Sequence, residues 1–427
     1  MLNAADDRRD PLAWCALIAI GFLILAWHRL GIPSKIYFDE VHYVISARKL
    51  LQMVSANPEH PMLGKEIIAA AIAMGGDRPL VWRIPSALFG AFGLFAVGRL
   101  VWWASLRRFA TIAAMLLVAT GFAWFIQSRI AMLDMFMACF GMTALWQFAV
   151  ALRLLAAKAR WRLAITGICF GLALGAKWSI APVLVLPGLL FLALKLRYAG
   201  VRFLIARDGG PIPGITLIEA GLWLGAVPLL VYWTTFMPAF FYADRAVSPW
   251  HPIDHHLYML QLQDSVKKLH PYRSVWYQWI INWRAIWYLY EVVDSAQRGV
   301  LLIGNPFTML AGLPAVLWAF RAGIRRRRHD ALAFAAMYVA SLGMWIVSTK
   351  PIQFYYHYLL PGTFMLCCLA LALDALWRRR DRWRWSAPAA IVLSLAMFAW
   401  FYPIISAARL HEGKKSYVHW MWLDSWR

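Results

Sequence analysis

Residues 37–43 read YFDEVHY, and this stretch follows directly on the first long apolar run of the chain. Asp39 and Glu40 place two adjacent carboxylates at a bilayer surface, where charge is costly and adds nothing to packing. Residues 57–65, NPEHPMLGK, add a His-Pro turn and a lysine in the same connection. The two stretches bring acid, base and phosphate-binding groups to one membrane boundary, which predicts an active site there.

The composition is that of a polytopic membrane protein. Hydrophobic residues make up 62% of the 427 positions, with 25 Trp and 24 Phe, whereas soluble chains average about 45–50% apolar residues. The formal net charge is +22, and the basic loops that orient membrane proteins account for it, so we expect no nucleic-acid partner. All five cysteines lie within apolar runs, which predicts no disulfide framework and no cysteine metal site.

We predict an all-α fold with about eleven transmembrane helices, because a span needs about 20 mainly apolar residues. A single transmembrane domain then covers residues 1–427. The predicted spans are residues 12–30, 80–102, 110–126, 131–150, 162–176, 180–196, 214–236, 299–320, 331–348, 356–376 and 386–405.

Basic residues accumulate in alternate loops, at residues 8–9, 107–108, 153–162, 195–207, 321–328 and 378–384. This bias predicts a cytoplasmic N-terminus and an extracytoplasmic C-terminus. The extracytoplasmic side then carries the connections 31–79 and 237–298 and the tail 406–427, and we expect the chemistry there. Near-helical spacing over residues 40–53 and 65–74 predicts two short helices in the membrane interface of the first connection.

Asp39 and Glu40 are the candidate catalytic residues. A carboxylate can take the proton of an attacking hydroxyl, and a partly dry site next to a second carboxylate raises its proton affinity. The alternative is a solvated loop in which these charges pair with Lys35 or Arg48. The apolar and aromatic flanks favour the catalytic interpretation.

Cationic residues near the predicted outer membrane edge are candidate phosphate ligands: Arg83, Arg129, Lys65 and Lys177. Arginine holds phosphate in a bidentate fork and lysine acts as a point charge. A single arginine at a membrane edge is ordinary snorkelling, and Lys177 could contact only headgroups. Asp134 lies about one turn inside its span and is a candidate substrate contact, with pairing to Arg129 as the alternative.

Residues 350–358 read KPIQFYYHY and precede the tenth predicted span. An aromatic anchor explains the tyrosines, but Gln353 and His357 lie one helical turn apart, so we expect Gln353, Tyr356 and His357 to contact a ligand, together with His60. The histidines at positions 251, 255 and 256 have no strong metal-binding pattern, and we predict no metal site there.

These blocks resemble the protein O-mannosyltransferases that use a polyprenyl-phosphate mannose donor, within the glycosyltransferase C (GT-C) superfamily. The resemblance extends over nearly the whole chain and keeps the family order. The blocks are FDEVHY at 38–43, HPMLGK at 60–65, WRIP at 82–85, SRIAMLDMF at 128–136, GLALGAKWS at 171–179, HPYRS at 270–274 with WY at 276–277, GNP at 304–306 and FYYHY at 354–358.

The chain departs from the family pattern at two positions. Met62 stands where the family usually has a second proline, and Ile180 stands where a glycine usually follows Lys-Trp-Ser. Eukaryotic members carry a β-trefoil domain in the large outer loop, for which residues 237–298 are too few. The chain therefore resembles a compact bacterial member, and the departures leave the acceptor open.

The resemblance implies a GT-C-type enzyme of the bacterial inner membrane that transfers mannose to Ser or Thr hydroxyls of exported proteins, with inversion. Asp39 would be the base and Glu40 would orient it or contact the acceptor, while Arg83 with Arg129 or Lys177 would neutralise the departing phosphate. Lys65 and His60 are secondary candidates. We expect the export machinery as a further partner and no certain cofactor, although a divalent cation could help hold the phosphate.

Two other functions fit parts of the sequence. A related lipid-linked transferase acting on lipid A or another envelope glycan would share the membrane architecture, but the blocks fit the protein-modifying branch better. A transporter of the lipid-linked sugar would place its ionisable residues near the bilayer midplane, whereas here they lie at the outer edge.

Overall fold

The structure is a computed structural model that describes residues 9–265, 270–348, 350–411 and 413–427. Arg8, which contributed to the predicted orientation, lies outside the described residues, as do residues 266–269 of the second long connection. Helices dominate. They are α1 (Leu12–Trp27), α2 (Glu40–Leu51), α3 (Leu63–Gly75), α4 (Pro79–Ser105), α5 (Arg108–Ala119), α6 (Phe122–Gln127), α7 (Asp134–Ala151), α8 (Ala156–Ala176), α9 (Ala181–Ala199), α10 (Leu217–Gly221), α11 (Val227–Thr234), α12 (Pro252–Asp264), α13 (Trp276–Ile280), α14 (Pro306–Arg326), α15 (His329–Val347), α16 (Leu359–Trp377) and α17 (Ser386–Ile405).

Within the described residues, eight helical segments are long and apolar enough to cross a membrane. They contain α4, α7, α9, α10 with α11, α14, α15, α16 and α17. The prediction of a helical, multi-span membrane protein is confirmed, and the count of eleven spans stays a prediction. One predicted boundary is wrong: residues 299–302 belong to a strand, and the helix begins only at Pro306.

The ends of the helices form two opposite faces of the bundle, which we call the basic face and the loop face. On the basic face, Arg99 pairs with Asp10, and Arg107 pairs with Asp374 at 3.0 Å. This face contains residues 105–108, 151–156, 200–216, 326–329 and 378–385. The loop face contains residues 28–78, 235–305, 348–358 and 406–427, and the predicted α2 and α3 lie there as helices.

Most residues of α4, α7 and α16 are buried, whereas most residues of α9, α11 and α17 face outward. Because α4, α7 and α16 are apolar on every side, they form the centre of the bundle and the others surround it. The ends of these central helices position the site described below.

A stripe of glycines brings α8 against the segment that contains α11. At Gly167 and Gly171 an added Cβ would lie 2.1 Å from the Trp223 carbonyl oxygen and 2.6 Å from the Pro228 carbonyl oxygen. At Gly175, four positions further, an added Cβ would lie 2.7 Å from the Thr235 side chain. Small residues at this spacing let helix backbones approach closely inside a bilayer.

The loop face contains a feature that the sequence analysis missed. Strands β1 (Ile286–Val293) and β2 (Ala296–Leu302) form an antiparallel hairpin in a connection where we predicted only membrane-interface aromatics. Asp294 and Ser295 both have positive φ, at 51° and 56°, as a two-residue type I′ turn requires. A register shift between Trp287 and Leu289 reorients the strand next to Tyr288.

Replacing Gly171 with leucine should destabilise the protein by about 2 kcal/mol, because the side chain would displace the α11 backbone. The matched control is Gly188→Leu in α9, where no atom lies within 4 Å of an added Cβ. Thermal unfolding in detergent should show a lower midpoint for the first variant only. Equal midpoints for the two variants would contradict the close contact.

Candidate active site

A buried ion pair organises the segment that leads to Asp39. Arg83 Nε and Nη2 donate to the Glu40 carboxylate at 2.7 and 2.8 Å, and both side chains are fully buried. Arg83 Nη1 donates to the carbonyls of Leu30 and Pro33, and Nη2 donates to that of Lys35. A guanidinium has five N–H donors, so all five are used.

Glu40 is saturated as well. It also accepts hydrogen bonds from the backbone N–H groups of Ala131 and Tyr37. The structure therefore gives Arg83 no free donor for a phosphate and Glu40 no free oxygen for an acceptor. Our sequence-based roles for these two residues are revised: they hold the segment before α2 against α4 and the start of α7.

Asp39 is the N-cap residue of α2, but its carboxylate is not used as a cap. None of the described residues donates a hydrogen bond to this carboxylate or forms a salt bridge with it. Phe38 before it has φ of 50°, a left-handed backbone that is rare for a phenylalanine. The Phe38 ring stacks on Tyr288 with centroids 3.8 Å apart and meets Tyr356 edge-on, so packing holds Asp39 in place.

Burial raises the pKa of Asp39 to about 6, against the lowering effects of His42 and Lys177. The neighbouring carboxylate of Asp134 raises this pKa further. A carboxylate with a pKa near the working pH can accept a proton efficiently and release it again.

The proposed pairing of the two acidic residues with Lys35 or Arg48 does not occur. Lys35 binds Glu291 at 2.7 Å, and Arg48 binds Asp77 at 2.7 Å.

Asp134 and Lys177 face each other across the site, at the start of α7 and just after α8. Lys177 Nζ lies 2.8 Å from both oxygens of Asp134. The alternative pairing of Asp134 with Arg129 is therefore not formed. Lys177 Nζ also lies 4.9 Å from the ring centroid of Tyr356, which places an ammonium between an acid and an aromatic face.

Lys350 is a cationic residue of the cluster that the sequence analysis did not select. Its side chain has no hydrogen-bond or salt-bridge partner among the described residues. Burial and the nearby Lys177 lower its pKa to about 8, while Asp39 and Asp134 oppose the shift. The available signal in the sequence was its position at the start of the KPIQFYYHY block.

Arg129 is committed to the backbone. Its Nη1 donates to the carbonyls of Ala26 and His28 at 2.6 and 2.8 Å. Nη2 makes longer contacts, at 3.4 Å, with the carbonyls of Arg29 and Ser406. Arg129 thus supports the end of α1, and this geometry does not favour the predicted phosphate contact.

Lys65 has a similar structural position. Its Nζ donates to the carbonyls of Asn57 and His60, each at 2.8 Å, and the residue is 1% exposed. Burial lowers its pKa to about 7. Lys65 therefore shapes the His-Pro turn, and the predicted contact with a donor phosphate is not supported.

His60 lies between this turn and the cluster. Its ring meets Tyr43 edge-on with centroids 5.9 Å apart. Burial, followed by the nearby Lys350 and Lys177, lowers the pKa of His60 well below its ordinary value, so the imidazole is neutral. On its other side His60 lines a cavity of about 270 Å³ that lies between residues 55–62 and residues 236–258.

Residues 353–357 contribute unequally. Tyr356 faces Lys177, as described. His357 stacks on Trp345 with centroids 3.8 Å apart, and its Nδ1 accepts from the Phe354 N–H. Gln353 Nε2 makes a 3.4 Å contact with the Trp345 carbonyl. Gln353 and His357 therefore support the position of Tyr356 through packing.

Within the described ranges, no group of three or more His, Cys, Asp or Glu side chains is placed to hold a metal ion. His256 instead bonds to the Tyr232 hydroxyl at 2.7 Å and stacks on Trp178. A divalent cation at the phosphate stays an untested prediction from the sequence.

Two family models match the chain. The model described as "Dolichyl-phosphate-mannose-protein mannosyltransferase" matches residues 80–242, and the model described as "C-terminal four TMM region of protein-O-mannosyltransferase" matches residues 251–426.

Curated relatives match at nearly full length. The polyprenol-phosphate-mannose–protein mannosyltransferase of Mycolicibacterium smegmatis is 26% identical, over 99% of this chain and 94% of the relative. The enzyme of the same name from Corynebacterium glutamicum is 25% identical, over 98% of this chain and 94% of the relative.

Solved structures show the same fold. A chain of the Saccharomyces cerevisiae Pmt1–Pmt2 protein O-mannosyltransferase complex, bound to the sugar donor, superposes with a TM-score of 0.80 at 13% identity, covering 99% of this chain and 94% of that one. ArnT from Cupriavidus metallidurans, bound to undecaprenyl phosphate, gives 0.57 at 13% identity, with 91% and 76% covered. The predicted GT-C type of fold is confirmed.

Replacing Arg83 with alanine should lower the free energy of unfolding by about 3–5 kcal/mol, because Glu40 would remain buried without its partner. The matched control is Arg48→Ala, which breaks the partly exposed pair with Asp77 and should cost at most about 1 kcal/mol. Thermal unfolding in detergent measures both. If Arg83→Ala kept wild-type stability, the structural role assigned to this pair would be refuted.

Proposed function

The chain belongs to the protein O-mannosyltransferase family, and we propose that it transfers mannose from polyprenyl-phosphate mannose to Ser or Thr hydroxyls of exported proteins. The observation that carries this proposal is the unpaired carboxylate of Asp39, half-buried in a cluster with two lysines, Lys177 and Lys350. The side chains of Asp39 and Lys350 each lack a hydrogen-bonded partner among the described residues, and an unpaired acid beside an unpaired ammonium suits a site that is completed by a hydroxyl and a phosphate.

Asp39 is the proposed general base. The acceptor hydroxyl oxygen forms a bond to the anomeric carbon while the bond from that carbon to the phosphate oxygen breaks. The hydroxyl proton passes to Asp39, and the polyprenyl phosphate departs with the bonding electrons. This single displacement inverts the anomeric centre and needs no covalent enzyme intermediate.

The departing phosphate develops negative charge, and stabilising such charge is often the largest catalytic contribution. We assign this role to Lys350 and Lys177. Lys350 has no partner among the described residues, and Lys177 has a single acidic partner in Asp134. Lys177 is kept from the set that the sequence suggested and Lys350 is added to it, whereas Arg83, Arg129 and Lys65 donate to internal acceptors.

The aromatic groups around the cluster suit a sugar. Tyr356, Tyr288 and Phe38 pack together beside Asp39 and would exclude water from the reacting centre. Asp134 and Tyr356 are the proposed substrate contacts on this side. His60 is neutral and borders the cavity between the two long connections, so it is the proposed contact on the acceptor side.

The protein spans a membrane several times, and we propose the bacterial inner membrane with the loop face extracytoplasmic. Support comes from the arginine-rich loops of the basic face, since cytoplasmic loops carry an excess of Lys and Arg. An exported polypeptide would then reach Asp39 as it leaves the membrane, which favours the export machinery as a further partner.

The direct test is transfer of labelled mannose from synthetic polyprenyl-phosphate mannose to a library of Ser- and Thr-containing peptides by the purified protein. Mass spectrometry should find a hexose on the hydroxyl residues. Transfer to a glycolipid without any transfer to peptides would favour the rival lipid-linked transferase.

Asp39→Asn should lower kcat by about 10²–10⁴-fold, because the amide cannot take the hydroxyl proton. The protein should remain folded, since the Asp39 side chain makes no hydrogen bond or salt bridge with a described residue, and its backbone contacts to α2 are unchanged by the substitution. Asp77→Asn is the matched control, a partly exposed acid on the same face paired with Arg48. Near-normal turnover by Asp39→Asn in the transfer assay would remove Asp39 from the base role.

The pH dependence of kcat/KM should be bell-shaped. Activity falls as pH drops through the Asp39 pKa of about 6, because the base becomes protonated. It falls again as pH rises through the Lys350 pKa of about 8, because the ammonium loses its charge. Lys350→Arg should move only the alkaline limb upward, since arginine stays charged. An unchanged alkaline limb in that variant would exclude Lys350 as its source.

A further inference from the structure

The basic face carries a large groove that the proposed reaction does not use. It has a volume of about 810 Å³ and lies between α14, α16 and α17. Alanines form much of its wall, among them Ala315 and Ala372, with Trp318 on one side. Ligand-binding pockets have volumes of about 300–1,000 Å³, so the groove has room for a ligand.

The polar residues that line the groove lie at one end. Arg326 is the last residue of α14, Arg379 follows α16, and Ser386 begins α17. Arg379 binds the exposed Asp381. The Arg326 side chain makes no hydrogen bond or salt bridge with any described residue. The mouth therefore combines an apolar channel with an excess of positive charge and one hydroxyl.

Aromatic residues place this mouth at the level of lipid headgroups. Trp383 and Trp385 are 57% and 63% exposed, and Arg384 lies 4.5 Å above the ring centroid of Trp377. Exposed tryptophans with neighbouring arginines mark the interface between hydrocarbon and water. Arg326 and Arg379 thus lie where the phosphates of a lipid leaflet lie.

The groove mouth is remote from the candidate active site. Tyr356 lies three residues before the start of α16 and Arg379 lies two residues after its end. A helix of 19 residues is about 28 Å long. A donor with its phosphate at Lys350 cannot also place that phosphate between Arg326 and Arg379.

We propose that this groove binds an anionic phospholipid of the leaflet at the basic face. The acyl chain lies along the alanines of α14, α16 and α17. The phosphate accepts hydrogen bonds from Arg326 and Arg379, and the Ser386 hydroxyl, which donates to the Trp383 carbonyl, accepts one from a headgroup hydroxyl. The apolar channel accommodates any acyl chain, and the arginines select anionic over zwitterionic headgroups because each adds attraction to negative lipid.

The test uses the full-length protein in detergent, with phosphatidylglycerol and phosphatidylcholine of identical acyl chains. Native mass spectrometry should show that the protein retains phosphatidylglycerol in preference to phosphatidylcholine. Thermal unfolding should show a higher midpoint with phosphatidylglycerol than with phosphatidylcholine. Arg326→Ala with Arg379→Ala should weaken this binding on the order of tenfold. The control, Arg325→Ala with Arg382→Ala, removes the same charge from the same face but outside the groove lining, and should bind as the wild type does.

A second variant keeps the test decisive if the arginine pair proves necessary for folding. Ala390→Phe fills the groove without changing charge and should release phosphatidylglycerol. Retention of this lipid by Ala390→Phe, or equal losses in the two double-arginine variants, would overturn the proposal. If polyprenyl phosphate displaced phosphatidylglycerol equally well from the wild type and from the Arg326/Arg379 variant, the groove would be assigned to a polyprenyl chain. That result would also overturn the proposal.

Discussion

The buried pair between Arg83 and Glu40 is the constraint on which the rest of the site depends. Removing two charges from water is expensive, and the cost is offset only when every donor and acceptor is satisfied. Here five N–H groups meet two carboxylate oxygens and three carbonyls, while Ala131 N–H joins the same carboxylate to the segment before α7. The pair therefore ties three parts of the chain to one point.

The pair with Arg83 gives the adjacent carboxylates of Glu40 and Asp39 different roles. Glu40 is saturated and structural, whereas Asp39 is turned into the cluster by the left-handed backbone of Phe38 and stays unpaired. Different surroundings give the same functional group different roles, as in other enzymes with neighbouring acids. The burial that raises the pKa of Asp39 also lowers that of Lys350, so a base and a cation coexist over a narrow pH range.

The sequence predicted much of the helical framework, because apolar length and charge bias are local properties. It missed the β1–β2 hairpin, whose turn residues Asp294 and Ser295 are not the Asn-Gly or Asp-Gly typical of a type I′ turn. It also selected Arg83, Arg129 and Lys65 as phosphate ligands. Position at a membrane edge made each a candidate, but nothing local indicated that backbone carbonyls would occupy their donors.

The sequence by itself determined that the chain is a helical membrane protein and which family it resembles, and it singled out the stretch around Asp39 as the candidate site. Only the tertiary structure decided which charges remain free. Arg83 and Glu40 are 43 positions apart, and Asp134 and Lys177 are also 43 apart. A side chain's availability depends on acceptors within about 3 Å. The packing of α4, α7 and α8 decides which acceptors lie within this distance. The partners of the charged side chains could therefore be assigned only from the tertiary structure.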